Sequence, residues 1–166
     1  MNLYLLRHGI AVEPGTPGFE SDADRPLIPE GERKVEKIAD AMEALELSFD
    51  WILSSPYVRA RQTAEIVAKA LDLRKKLEFS ETLTPSGSMR KLIDILNERR
   101  LEHVLLVGHE PFMSELISLL TAGEAGAMHA IMKKGGLCKL GTENLRHGRC
   151  AALEWLLTPK QMSLMS

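Results

Sequence analysis

Three short apolar runs, each followed at once by polar residues and then by helical spacing, constrain this chain more than any other feature. Leu3, Tyr4, Leu5 and Leu6 form the first, Asp50 to Ser54 holds Trp51-Ile52-Leu53, and Val104 to Val107 form the third. Runs this short and continuous suit strands buried on both faces of a parallel sheet. Three helical patterns lie between them and a fourth follows the last. Pro29 opens one whose Val35, Ile38, Ala39, Met42 and Leu45 share a face, although Ile28 is a poor cap. Ser55 is expected to cap the second, with Pro56 at its first position and Ala60, Ala64, Val67, Ala68 and Leu71 inward. Ser88 caps the third, which carries Met89, Leu92, Ile93 and Leu96, and Pro111 starts the fourth, with Met113, Leu116, Ile117 and Leu120 inward. Leu77 to Phe79 is a weaker strand, and Gly135 to Gly141 with Arg149 to Leu157 read as a closing hairpin. This alternation predicts an α/β fold of three layers, αβα, around a mostly parallel central sheet. A length of 166 residues is expected to make one domain over 1–166.

The residues that end the three runs are chemically unusual. Arg7-His8-Gly9 ends the first, Ser54-Ser55-Pro56 with Arg59 follows the second, and Gly108-His109-Glu110-Pro111 ends the third. Parallel strands carry their carboxyl ends to one edge, where open α/β sheets bind ligands. Arg7, His8, Arg59 and His109 are therefore expected to converge on one anion. Arg59, early in a helix, gains from the amide dipoles there. Arginine suits phosphate because its planar fork donates two hydrogen bonds. A histidine among arginines is expected to be held neutral by like charge, and so to remain nucleophilic near pH 7. That combination suits phosphoryl transfer onto His8 followed by hydrolysis. The tetrapeptide alone means little, because Leu-Arg-His-Gly recurs at Leu145 to Gly148 in a polar stretch that reads as a turn between strands. Ile10 to Leu27 is a long loop without apolar period, and its Arg25 could reach the same anion or lie on the surface.

Charge and composition exclude several alternatives. A net charge of -2 and a pI near 6.2 provide no global basic field for nucleic acid, and Arg74-Lys75-Lys76 is too short to supply one. No apolar run is long enough for a membrane span, and the first residues do not resemble a secretory signal. Cys138 and Cys150 fall in the two closing strands and could face each other across the hairpin. Reduced buried thiols in a cytoplasmic protein are the expectation. The five histidines show no metal-ligand spacing, so neither metal nor cofactor is expected.

Together, Leu6-Arg7-His8-Gly9, Ser54-Ser55-Pro56 with Arg59-Ala60-Arg61-Gln62-Thr63-Ala64, and Val107-Gly108-His109-Glu110-Pro111 resemble the histidine phosphatase (phosphoglycerate-mutase-like) superfamily. Small size, Arg25-Pro26-Leu27 and Leu83-Thr84-Pro85-Ser86-Gly87 are similar to its SixA-type branch, the protein-histidine phosphatases. The resemblance implies that His8 is the phosphorylated nucleophile. It implies that Arg7, Arg59 and His109 bind the phosphoryl group, with Arg25 a further contact. The implied partner is a protein bearing phosphohistidine, such as a phosphotransfer domain. One departure is informative. Larger members carry an acidic proton donor where this chain has Pro85, and nearby Glu81 reads as a surface residue. An alkoxide leaving group needs such an acid, whereas a protonated imidazole leaves without it. The alternatives are a phosphatase of small phosphomonoesters and a phosphate- or phosphoprotein-binding module without turnover.

Overall fold

A computed structural model describes residues 1–165. Six strands form one sheet: β1 (Asn2–Arg7), β2 (Trp51–Ser54), β3 (Leu77–Phe79), β4 (His103–Gly108), β5 (Leu137–Thr142) and β6 (Ala151–Leu157). Their spatial order is β3-β2-β4-β1-β5-β6. β4 pairs in parallel with both β1 and β2, and β3 runs parallel to β2 at the edge. β5 and β6 are antiparallel additions on the other side. The central strands read as continuous apolar runs because both faces are covered.

Alternation along those strands divides the core in two. Leu3, Leu5, Leu53 and Leu106 face α3 (Met89–Arg99) and α4 (Phe112–Ala122), where they meet Leu92, Ile93, Met113 and Leu116. Tyr4, Leu6, Ile52, Leu105 and Val107 face the opposite way, against α1 (Pro29–Ala44) and α2 (Val58–Ala70). The short α5 (Pro159–Met162) packs on that second layer through Met162. The arrangement is three-layered, αβα, with a mostly parallel sheet. Among the described residues no helix is long and apolar enough to cross a membrane.

Helix ends follow local chemistry, with two corrections, one at the end of α1 and one at the start of α2. Ile28 accepts no capping hydrogen bond at the start of α1, a loss of about 1 kcal/mol. Fully burying Ile38 and Met42 returns about 1.5–3 kcal/mol each, so packing decides. Leu45 lies just beyond the end of α1, 39% exposed, and does not extend its buried face. Ser55 does not cap α2, which begins at Val58 behind Tyr57. The Ser55 hydroxyl is used elsewhere, as described below. Ser88 caps α3 as expected, accepting from the Lys91 amide at 3.3 Å.

Residues 10–27 leave the sheet as a loop closed at its base. Val12 N donates to Pro26 O at 2.9 Å and Ile28 N to Ile10 O at 3.0 Å. Gly31 lets α1 rest on this base, since a β-carbon there would sit 2.0 Å from Ile10 O. The two cysteines do not face each other. Cys138 is buried opposite Leu5 and Leu156, whereas Cys150 precedes β6 and bonds the Arg146 backbone, and both are free thiols. The second Leu-Arg-His-Gly lies in the β5–β6 connection, as expected.

Candidate active site

Strand register gathers the polar ends of the apolar runs. Arg7 stands opposite Gly108, and Ser54 opposite Val107, so β4 sits between the other two. Backbone bonds continue the ladder past the strands: His8 N donates to Gly108 O at 3.0 Å and Ser55 N to Val107 O at 2.9 Å. His8, His109 and Ser55 are therefore neighbours although more than a hundred residues separate the first two. The His8 and His109 rings lie 5.1 Å apart, inclined at 53°. Gly135 closes the other flank, donating to both Arg7 O and His8 O at 3.0 Å.

His8 is 6% exposed, and its hydrogen bonds define which nitrogen is free. Nδ1 lies 2.7 Å from the Gly9 carbonyl, which can only accept, so Nδ1 carries the proton. Nε2 of the neutral ring then holds a lone pair, and Arg59 Nε donates to it at 3.3 Å. The His8 pKa is pushed down to about 2. Burial is the largest cause; the bond to Gly9 opposes it, and the nearby charges of His109, Arg59 and Arg7 reinforce it. Like charge was the sequence-based expectation. Desolvation contributes more.

His109 is 1% exposed, with Nε2 2.8 Å from Ser55 Oγ. That hydroxyl also accepts from Tyr57 N at 3.2 Å, and the Tyr57 ring packs edge-on against His109. Burial pushes the His109 pKa down to about 3, with Arg59 the next contributor in the same direction. Its Nδ1 is buried and has no partner among the described residues. Arg7 Nε is buried and unpartnered in the same way, while Arg7 Nη1 donates to Met132 O at 2.8 Å. Unpaired buried donors and acceptors are rare and costly, and two of them belong to this cluster.

Arg59, second in α2, is 3% exposed. Its Nη1 and Nη2 donate to Asp22 O at 2.6 Å and Asp22 Oδ2 at 3.0 Å. Arg25 grips the other oxygen of the same carboxylate, Nε and Nη2 reaching Asp22 Oδ1 at 3.0 and 2.6 Å. Its remaining arm donates to Val12 O. Arg25 thus reaches the cluster through Asp22 and is not a free surface cation. Burial would raise the Asp22 carboxyl, but the bonds from Arg25 and Arg59 outweigh it and hold the group below the usual carboxylate range. Thr63 ties α2 to the end of β1, its hydroxyl donating to Arg59 O at 2.7 Å and accepting from Gly9 N at 3.1 Å.

All five residues singled out in the sequence fall in or against this cluster. Asp22, Ser55, Tyr57 and Thr63 were missed as participants. Ser55 satisfies the local rule for a helix cap, and Asp22 lies in a loop without period. Glu110 complements the start of α4, accepting from Ser114 N at 2.9 Å, and Glu81 is exposed in a 3-10 turn. Among the described residues no group of three or more His, Cys, Asp or Glu side chains could hold a metal ion.

A buried neutral imidazole whose lone pair faces arginine can attack an electrophilic phosphorus whose oxygens the cations hold. The family model of the histidine phosphatase superfamily (branch 1) matches residues 3–84. An uncharacterized protein of Picosynechococcus sp. is 36% identical over 143 residues, covering 84% of each chain. The phosphohistidine phosphatase SixA homolog of Haemophilus influenzae is 33% identical over 130 residues, which is 72% of this chain and 77% of that one. Among solved structures, the protein histidine phosphatase SixA complexed with tungstate superposes with a TM-score of 0.79 at 26% identity, over 96% of this chain and 98% of that one. Sequence, fold and relatives agree: the chain belongs to the histidine phosphatase superfamily and is a phosphatase, a hydrolase similar to the SixA proteins.

Proposed function

We propose that this phosphatase hydrolyses phosphohistidine on a partner protein, such as the phosphotransfer domain of a cytoplasmic signalling relay, through a covalent phospho-His8. In the first step the Nε2 lone pair of His8 attacks phosphorus. The substrate P–N bond breaks, and the departing imidazole takes a proton from solvent. His8 then carries phosphate on Nε2 and a proton on Nδ1, a cationic ring steadied by the Gly9 carbonyl at 2.7 Å. Water next attacks phosphorus, inorganic phosphate leaves, and the borrowed proton returns to solvent. The protein supplies position and positive charge throughout. Arg7, Arg59 and His109 hold the phosphoryl oxygens, and the buried unpartnered atoms of Arg7 and His109 are the contacts they would satisfy. Arg25 acts from the loop through Asp22, or directly once Asp22 yields to substrate.

One observation carries this proposal: the tautomer of His8 leaves its lone pair on the nitrogen that faces Arg59. The choice of a phosphoramidate over a phosphoester is supported by Pro85 and exposed Glu81, which leave no strong acid where an alkoxide would need one. The structure of SixA with tungstate, a tetrahedral oxyanion, supports the oxyanion assignment. The test uses a phosphohistidine peptide labelled with radioactive phosphate. Rapid quenching is expected to trap an acid-labile, base-stable adduct on the wild type and none on His8→Ala. Turnover without any adduct, or faster hydrolysis of sugar phosphates than of the peptide, would refute it.

A further inference from the structure

Arg7 also lines a groove of about 750 Å³ beside the site. The groove is walled by Lys34 and Lys37 of α1, Lys133 and Lys134 of the segment before β5, and Lys160 of α5. Five lysines from three separate parts of the chain converge with Arg7 from a fourth, and no carboxylate is among the lining residues. Lys34 is paired with Glu30 at 2.7 Å, whereas Lys37, Lys133, Lys134 and Lys160 make no ion pair among the described residues. In a protein with net charge -2 this is a strong segregation of charge. Scattered lysines are normally solvated surface. Here they share one concave face with a residue of the phosphoryl site, and such a face focuses positive potential onto whatever enters.

We propose that this lysine groove docks an acidic segment of the phosphohistidine-bearing partner, next to the phosphohistidine itself. The proposal rests on the phosphohistidine reading given above. The side-chain chemistry favours a polypeptide. Lysines are point charges on flexible stems, suited to carboxylates spaced along a chain, whereas a compact phosphate chain calls for converging arginine forks. Between the charges, Ile10 and Pro159 and the lysine stems give the groove apolar wall for side chains to rest on. Electrostatic docking of this kind sets partner choice and encounter rate more than the chemistry of the bound phosphoryl group.

Two synthetic phosphohistidine peptides test the proposal, identical except that one carries four glutamates beside the phosphohistidine and the other four glutamines. For the wild type at low salt, kcat/KM is expected to favour the glutamate peptide at least tenfold, and the preference to fade as salt screens it. The double variant Lys37→Glu with Lys160→Glu, both exposed helix positions, is expected to abolish the preference and leave the glutamine peptide within twofold of wild type. Equal wild-type rates on the two peptides, or a preference that survives high salt and the double variant, would overturn the groove assignment and leave the phosphohistidine reading standing. Hydrolysis of neither peptide would remove both. Hydrolysis of inorganic tripolyphosphate faster than either peptide, lost in the double variant, would reassign the groove to a small polyphosphate.

Discussion

Keeping two buried imidazoles neutral ties the stability of this protein to pH. His8 and His109 have folded-state values near 2 and 3, both depressed mainly by burial, while an unfolded histidine titrates at about 6.5. A depressed histidine favours the unfolded state wherever that state binds the extra proton. Its contribution is neutral above about pH 7 and increasingly destabilising as pH falls below about 6.5. At pH 5 neither ring is protonated in the folded protein, whereas in the unfolded chain both nearly are. Integrating the proton difference from pH 7 to pH 5 gives about 2 kcal/mol per ring, or about 4 kcal/mol together. Both side chains are buried, at 6% and 1% residual exposure, so solvent screening removes little of this. Asp22, held below the usual carboxylate range, destabilises in the same direction only at still lower pH.

Urea unfolding at pH 7 and pH 5 measures the effect, taking the difference between the two pH values within each variant. The wild type is expected to lose about 4 kcal/mol, His8→Gln and His109→Gln about 2 kcal/mol each, and the double variant close to none from this source. Comparing pH values within a variant cancels any packing cost of the substitution itself. A wild-type loss no larger than that of the double variant would show that the rings are not held neutral by burial. A kinetic corollary follows. Since His8 is already deprotonated, kcat is expected to show no acid limb of its own near pH 6, and activity should fall where the fold does.

Arg59→Lys is expected to lower kcat at least a hundredfold with little change in urea midpoint, because a lysine cannot replace the fork that spans His8 Nε2 and Asp22; steady-state rates on phosphohistidine peptide check it. Asp22→Ala removes the carboxylate that Arg25 and Arg59 share and keeps only the backbone carbonyl for Arg59, but the side chain is 51% exposed, so stability should change by less than about 1 kcal/mol while KM for the peptide shifts. Gly31→Ala is expected to cost about 1–3 kcal/mol, read by thermal or urea unfolding, because its β-carbon meets Ile10 O at 2.0 Å and the backbone of either α1 or the loop base must move.

How much of this was legible in the sequence depends on what each residue answers to. The central strands were readable because burial on both faces writes itself as continuous apolar runs. Their polar ends were readable because parallel pairing forces them to one edge, and the Arg7–Gly108 and Ser54–Val107 register carries that out. Ser55 was misassigned because a serine before proline satisfies the local rule for a cap, while the fold uses its hydroxyl on His109 and Tyr57 N. Leu45 matched the helical spacing of α1 but falls one residue past the helix end. A periodic pattern does not report where the last turn closes.

The residues that sequence could not deliver share a different property. Asp22 has no period or motif to mark it, and its role exists only once Arg25 and Arg59 arrive from two directions. The depth of the histidine shifts depends on how much protein covers the rings, a quantity no spacing encodes. The lysine groove is the extreme case: no motif or spacing marks Lys37, Lys134 or Lys160 in the sequence. Their meaning lies in a lining free of carboxylates, in the groove that α1, α5 and the β5 approach create together. The side chains proposed for catalysis sit at or just past strand ends and so leave a linear trace. A surface that selects partners is assembled from helix faces whose charges are locally unremarkable, and it becomes visible only when those faces meet.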